Sequence, residues 1–132
     1  MSRFNNWQEP EFDARGMTRW QWICQHHQNL KLGEGSDIGA FSYLNAKHGV
    51  EIGEEVQIGS HVSIYSENTI DNTHGRVVIK KGAKIGSHSV IFPGVTIGEK
   101  AVVGAFSLVK KDVPAGAVVA GVTAKPLERR NR

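Results

Sequence analysis

Cysteine is all but missing. Cys24 stands alone in 132 residues, so no disulfide can form within the chain, and a reducing, cytoplasmic setting is expected. Long apolar runs are missing too. The longest, Ala115 to Val122, falls well short of the roughly 20 residues that a membrane helix needs, and Met1 to Gly16 holds no apolar core of a secretion signal. No membrane span is expected. Aromatics make up only 8% of the chain, and none are interleaved with basic clusters, which argues against a nucleic-acid surface. Nor is there a strong excess of charge: the net value is +3, much of it from Arg129, Arg130 and Arg132. That tail reads either as a solvated terminus or as an attraction for an anionic ligand.

Glycine, by contrast, is plentiful at fifteen, and part of it keeps a rhythm. Ile79, Ile85, Ile91, Ile97, Val103 and Val109 follow one another at intervals of six. Four places after each stands a small or β-branched residue: Ala83, Ser89, Val95, Ala101, Ser107, Val113. Gly86, Gly98 and Gly104 directly follow three of the aliphatics. A period of six fits neither a lone helix nor strand alternation, so it is an internal repeat. A short strand with one inward aliphatic, followed by a turn, makes one side of a prism. Three sides close a coil, coils stack at about 4.8 Å, and each caps the one below. The expectation is an all-β solenoid of a little over four coils. Its core is narrow and its flanks are large, so a lone chain would be marginal and an oligomer is expected.

Earlier aliphatics extend the rhythm through Leu32, Ile38 and Leu44. After a two-residue excursion around Ala46 to Val50 it resumes at Ile52, Ile58, Ile64 and Ile70. A second excursion, Asp71 to Arg76, precedes Ile79. Counting three sides per coil predicts three interior columns. The first is Leu32, Ile52, Ile70, Ile91 and Val109; the second is Ile38, Ile58, Ile79 and Ile97; the third is Leu44, Ile64, Ile85 and Val103. The chain thus divides into a cap over 1–31, a solenoid over 32–114 and a tail over 115–132. In the cap, Thr18 can start a short helix reaching about Leu30, with Trp20 and Trp22 covering the open end of the solenoid.

Three stretches carry a closer likeness: Ile85 to Gly98, Val103 to Pro114, and Ala120 to Pro126. In that order they resemble the hexapeptide-repeat acyltransferases, in particular the galactoside, maltose and related sugar acetyltransferases, although Thr123 stands where that family usually has proline. With the earlier hexads the likeness covers about residues 32–127. It implies a left-handed parallel β-helix, a homotrimer of parallel prisms, and acetyl-CoA as co-substrate in the groove between neighbouring prisms, with no metal. Carried over by position, Ser87 and the backbone of Ala105 flank the thioester and pantetheine arm, while Lys110, Lys111 and Lys125 meet the nucleotide phosphates. Ammonium groups suit phosphates as point charges.

Acetyl transfer needs a base to take a proton from the attacking acceptor, and a histidine titrating near about 6.5 is the natural one. The family's catalytic histidine, counted five residues past Ile64, falls here on Thr69. His74, five residues further along the same excursion, is the first candidate; His61, in the Ile58 hexad, is the second. His88 belongs to a motif that is structural in the family. Asn45 stands where related enzymes often carry an acceptor-binding aspartate, and His48 is near it, so these two are the acceptor-binding candidates. An amine is already a nucleophile and tolerates a displaced base better than a hydroxyl does. That favours an amino sugar, nucleotide-linked, on a route to surface polysaccharide, over a galactoside-type O-acetylation. Two other readings stay open: a non-catalytic β-helix subunit, and a metalloprotein resembling the γ-class carbonic anhydrases. His48, His61, His74 and His88 recur at intervals of 13, 13 and 14, but the pair of histidines five apart that marks that class is absent.

Overall fold

Each inward aliphatic marks a strand of two or three residues, and the strands stack into three parallel sheets, one per side of a prism. The computed structural model describes residues 4–128, so Arg129, Arg130 and Arg132 lie outside the described residues. The first side is built from Ile23–Gln25, Tyr43–Asn45, Ser63–Tyr65, Val90–Ile91 and Leu108–Val109. The second is built from Leu30–Leu32, Val50–Ile52, Val77–Ile79 and Thr96–Ile97, and Val113 bridges on to Ile97. The third takes Asp37–Ile38, Gln57–Ile58, Lys84–Ile85, Val102–Val103 and Val118–Ala120. The result is the expected left-handed parallel β-helix, five coils high rather than a little over four.

The columns differ from the simple count. One runs Cys24, Leu44, Ile64, Ile91, Val109; the next Leu32, Ile52, Ile79, Ile97; the third Ile38, Ile58, Ile85, Val103, Val119. Ile70 belongs to none of them and is 93% exposed. The reason is local turn chemistry. Asn68 Oδ1 accepts from the Ile70 amide at 3.1 Å, Asp71 Oδ1 accepts from the Thr73 amide and hydroxyl, and Asn72 takes a left-handed φ of 58°. These side chains fold the backbone back on itself. Glu67–Asn68 then pairs antiparallel with Thr73–His74, and the excursion becomes a hairpin over 66–76 with Ile70 near its tip.

Glycine after an inward aliphatic is a demand of stacking. A Cβ on Gly86 would stand 2.4 Å from the Ala105 amide nitrogen, and one on Gly98 would stand 2.4 Å from that of Ala115. Both obstacles are backbone of the next coil, which cannot move aside without breaking the ladder. The small residues four places after the aliphatics turn inward as well: Ala83, Ser89, Val95, Ala101, Ser107 and Val113 are all buried. The buried serines stay satisfied, since Ser89 Oγ donates to the Gly104 carbonyl at 3.0 Å and accepts from the Ser107 amide.

The two ends depart from the sequence expectation in one respect. No α-helix runs from Thr18 to Leu30. Ile23–Gln25 is instead the first strand of the solenoid, in register with Tyr43–Asn45, and only a single 3-10 turn forms at His27–Asn29. The inward Cys24 is wholly buried, and that burial pushes its thiol up to about 12, so it is a packing residue and not a nucleophile. Trp22 does close the open end, buried under Phe12 with ring centroids 5.5 Å apart, while Trp20 remains 40% exposed. At the other end Lys125–Pro126 pairs antiparallel with Val118–Ala120 and covers the last open edge.

Candidate active site

Every departure from the six-residue step occurs at one corner, where the first side hands over to the second. Cys24 to Leu32 and Leu44 to Ile52 each take eight residues, and Ile64 to Ile79 takes fifteen, against six for Ile91 to Ile97. Stacking therefore places these loops above one another. Asn45 pairs in register with Tyr65, so residues 66–67 sit one coil above 46–47.

The loops are tied together by polar contacts. Asn45 Oδ1 accepts from the Lys47 amide at 3.0 Å, and the Ser66 hydroxyl accepts from the His48 amide at 2.9 Å. Glu67 Oε1 lies 3.2 Å from His48 Nε2 and 3.3 Å from Lys47 Nζ. Glu67 faces His74 across the hairpin ladder, and the His74 ring packs on that of His48 with centroids 4.7 Å apart. Of the residues singled out in the sequence, Asn45, His48 and His74 are brought together here. Three members of the cluster, Lys47 on the first excursion and Ser66 and Glu67 on the second, were not singled out. The signal for Ser66 and Glu67 was the early start of the excursion at Ser66, hidden because Ile70 kept the beat.

The chemistry of the cluster follows from its partners. A carboxylate only accepts, so His48 donates from Nε2, and in the neutral ring the lone pair is then on Nδ1. The His48 hydrogen bond first, and then Lys47, hold the Glu67 carboxyl below its ordinary value of 4.5. A lowered folded-state value means a contribution to stability that is fully present above 4.5 and disappears as pH falls through the lowered value. Comparing wild type with Glu67→Gln by amide exchange across residues 66–76 should thus show a difference in protection that is present at about pH 5 and closes in stronger acid. A difference that widened in acid would contradict this role for the carboxylate.

The remaining candidates lie elsewhere. His61 stands at the corner between the third and first sides, stacked on His88 at 4.6 Å and against Phe41 at 5.2 Å; His88 stacks in turn on Phe106 at 4.8 Å. All four residues of this ladder have left-handed φ, from 57° to 66°. Ser87 and Ala105 each directly precede a ladder residue, His88 and Phe106. Lys110 and Lys111 lie past Leu108–Val109, on the excursion corner two coils beyond the hairpin, with Lys110 Nζ 5.3 Å from the centre of the Phe92 ring. Lys125 is exposed on the covering C-terminal strand. The four histidines spaced along the sequence thus divide into two pairs on different corners. Among the described residues no group of three or more His, Cys, Asp or Glu is placed to hold a metal ion, and no helix is long and apolar enough to cross a membrane.

With this geometry in view, the likeness to known proteins is specific. Residues 75–111 match the family described as bacterial transferase hexapeptide (six repeats). The chain is 35% identical to the dTDP-4-amino-4,6-dideoxy-D-glucose acyltransferase of Escherichia coli, over 72% of this chain and 58% of that protein. It is 47% identical to the galactoside O-acetyltransferase of Escherichia coli strain K12, over 42% of this chain and 27% of that one. Among solved structures, the hexapeptide-repeat-containing acetyltransferase of Vibrio cholerae complexed with acetyl coenzyme A superposes with a TM-score of 0.75 at 27% identity, covering 81% of this chain and 63% of its own. The chain spans less than two thirds of the length of each of these three. By its repeat and its coils the chain is a left-handed parallel β-helix of six-residue steps, and by its relatives it is similar to bacterial sugar acetyltransferases of the hexapeptide-repeat kind.

Proposed function

We propose that this chain transfers an acetyl group from acetyl-CoA to the amine of a nucleotide-linked amino sugar, in the cytoplasm, for surface-polysaccharide synthesis. The observation that carries the reading is the convergence of Asn45, His48, Glu67 and His74 on one excursion corner. In this reading Asn45 and His48 hold the acceptor and His74 is the base. The sugar nitrogen attacks the thioester carbonyl, a proton passes from that nitrogen to His74, and the carbon–sulfur bond breaks to release CoA as a thiolate, which takes up a proton from the His74 imidazolium or from solvent. His74 suits the role better than His61, whose ring is sandwiched between Phe41 and His88.

The cofactor residues fall on two corners of the prism, Ser87 and Ala105 on one, Lys110 and Lys111 on another. A trough between neighbouring copies in a homotrimer takes one corner from each, which is how one extended cofactor can meet residues that a single chain holds apart. Ser87 and the Ala105 backbone then lie along the pantetheine arm, with Lys110, Lys111 and Lys125 at the phosphates. The named acceptor of the Escherichia coli relative, an amino sugar on dTDP, supports the nitrogen acceptor. The locally higher identity to the galactoside enzyme supports an oxygen acceptor as the second reading.

Thiol release from acetyl-CoA, measured against a panel of free, amino and nucleotide-linked sugars, tests the proposal. Turnover is expected with nucleotide-linked amino sugars. Turnover with galactosides alone selects the second reading, and saturable acetyl-CoA binding without turnover on any sugar would indicate a non-catalytic subunit.

A further inference from the structure

Beside the paired histidines, toward the N-terminal end of the stack, lies an open depression of about 430 Å³ lined by Gln28, Asn29, Lys31, Lys47, His48, Gly49, Glu51 and Arg76. Its cations come from three successive coils. Lys31 belongs to the first, Lys47 to the second, and Arg76 to the end of the hairpin in the third. Arg76 is laid into place by Gly49, which has a φ of 100° and no side chain; a Cβ there would come within 3.1 Å of Arg76 Cδ. Lys31 Nζ at 3.6 Å and Arg76 Nη1 at 3.2 Å share a single oxygen, Glu51 Oε1. Lys47 is paired with Glu67 at 3.3 Å, and the Asn29 side-chain amide donates to the Lys47 carbonyl at 3.2 Å.

Taking on the reading above, that the acceptor is nucleotide-linked, we propose that this depression binds the acceptor's diphosphate. Three cations against the one carboxylate in the lining leave an excess of two positive charges, which matches the two negative charges of a diphosphate diester. Glu67, next to Lys47, reduces that excess without entering the lining. The guanidinium can hold a phosphate through two parallel N–H donors, and the lysines act as point charges. Exposed ion pairs such as those on Glu51 are weak, so both partners can exchange the carboxylate for a phosphate. His48 lines the depression and also packs on His74, so a diphosphate seated here sets its attached sugar ring at the histidine pair. A coenzyme A diphosphate has the same chemistry, but the lysines assigned to it lie on the last coil, two coils beyond the hairpin.

Calorimetric titration with UDP, with dTDP and separately with coenzyme A tests the assignment. The Lys31→Ala/Arg76→Gln double variant should bind both nucleoside diphosphates at least about tenfold more weakly, keep its affinity for coenzyme A, and raise KM for a nucleotide-linked amino sugar by a similar factor. Lys84→Ala/Lys100→Ala removes the same charge from other parts of the prism and should bind all three ligands as wild type does. The single variant Arg76→Lys, which keeps the charge, guards against a folding defect and should lie between wild type and the double variant. The proposal is overturned if wild type binds neither nucleoside diphosphate, if the double variant binds them within about twofold of wild type, or if its loss falls on coenzyme A instead. Failure of the enzymatic reading would look different: nucleoside diphosphates bound through Lys31 and Arg76, with no acetyl transfer to any amino sugar.

Discussion

Turnover should fall at least about a hundredfold when His74 is replaced by alanine, within the 10²–10⁴ range of a general base. The same change should leave KM for acetyl-CoA close to wild type, because Ser87 and Ala105 lie on another corner, and Lys110 and Lys111 share the excursion corner but stand two coils beyond the hairpin. The effect on stability should be small. His74 is exposed, and the hairpin keeps its backbone bonds, including the Gly75 amide to the Ser66 carbonyl at 2.9 Å. A circular-dichroism melt beside the kinetic assay separates loss of chemistry from loss of fold. Glutamine at the same position should not restore the rate, since an amide cannot accept and release a proton near neutral pH. The acid limb of the pH–rate profile should vanish with the imidazole. His61→Ala is the contrast: it shortens a stacked ladder and should cost stability before it costs turnover. Near-normal turnover in His74→Ala, with His48→Ala inactive, would move the proton transfer to the ring that Glu67 holds.

How far the molecule could be read in advance depended on which interaction set each residue's place. Stacking set the hexads: coil on coil leaves room for glycine at 86 and 98 and for an aliphatic six residues later, so the repeat is written directly into the chain. The first coil was hidden. Cys24 sits one twenty-residue turn before Leu44, but it carries no glycine after it, and Met17, Trp20, Ile23, Cys24 and His27 imitate helical spacing. Tertiary pairing overrode that local pattern. The candidate site was half legible. That His74 lies on an excursion follows from counting; that it meets His48 depends on the Asn45–Tyr65 register and on the hairpin starting at Ser66. Glu67 was invisible because Ile70, aliphatic and on the beat, implied that the regular wall continued past it.

That competition between beat and turn predicts a sharp difference between two isoleucines six residues apart. Ile64 is wholly buried in the column between Leu44 and Ile91, whereas Ile70 is 93% exposed near the hairpin tip. Ile64→Ala removes buried methyl and methylene groups and leaves a cavity that the stacked backbone cannot close, so it should cost about 2–5 kcal/mol. For a domain of this size the melting temperature should drop on the order of 10 °C. Ile70→Ala should change stability by less than about 0.5 kcal/mol. Both variants need to be compared with wild type at one protein concentration, because an assembling chain has a concentration-dependent transition. If Ile70 instead belonged to the regular wall, its truncation would cost as much as that of Ile64. Equal losses would therefore return Ile70 to the interior and undo the hairpin over 66–76. Since that hairpin alone carries Glu67 and His74 to His48, the same result would remove the candidate site with it.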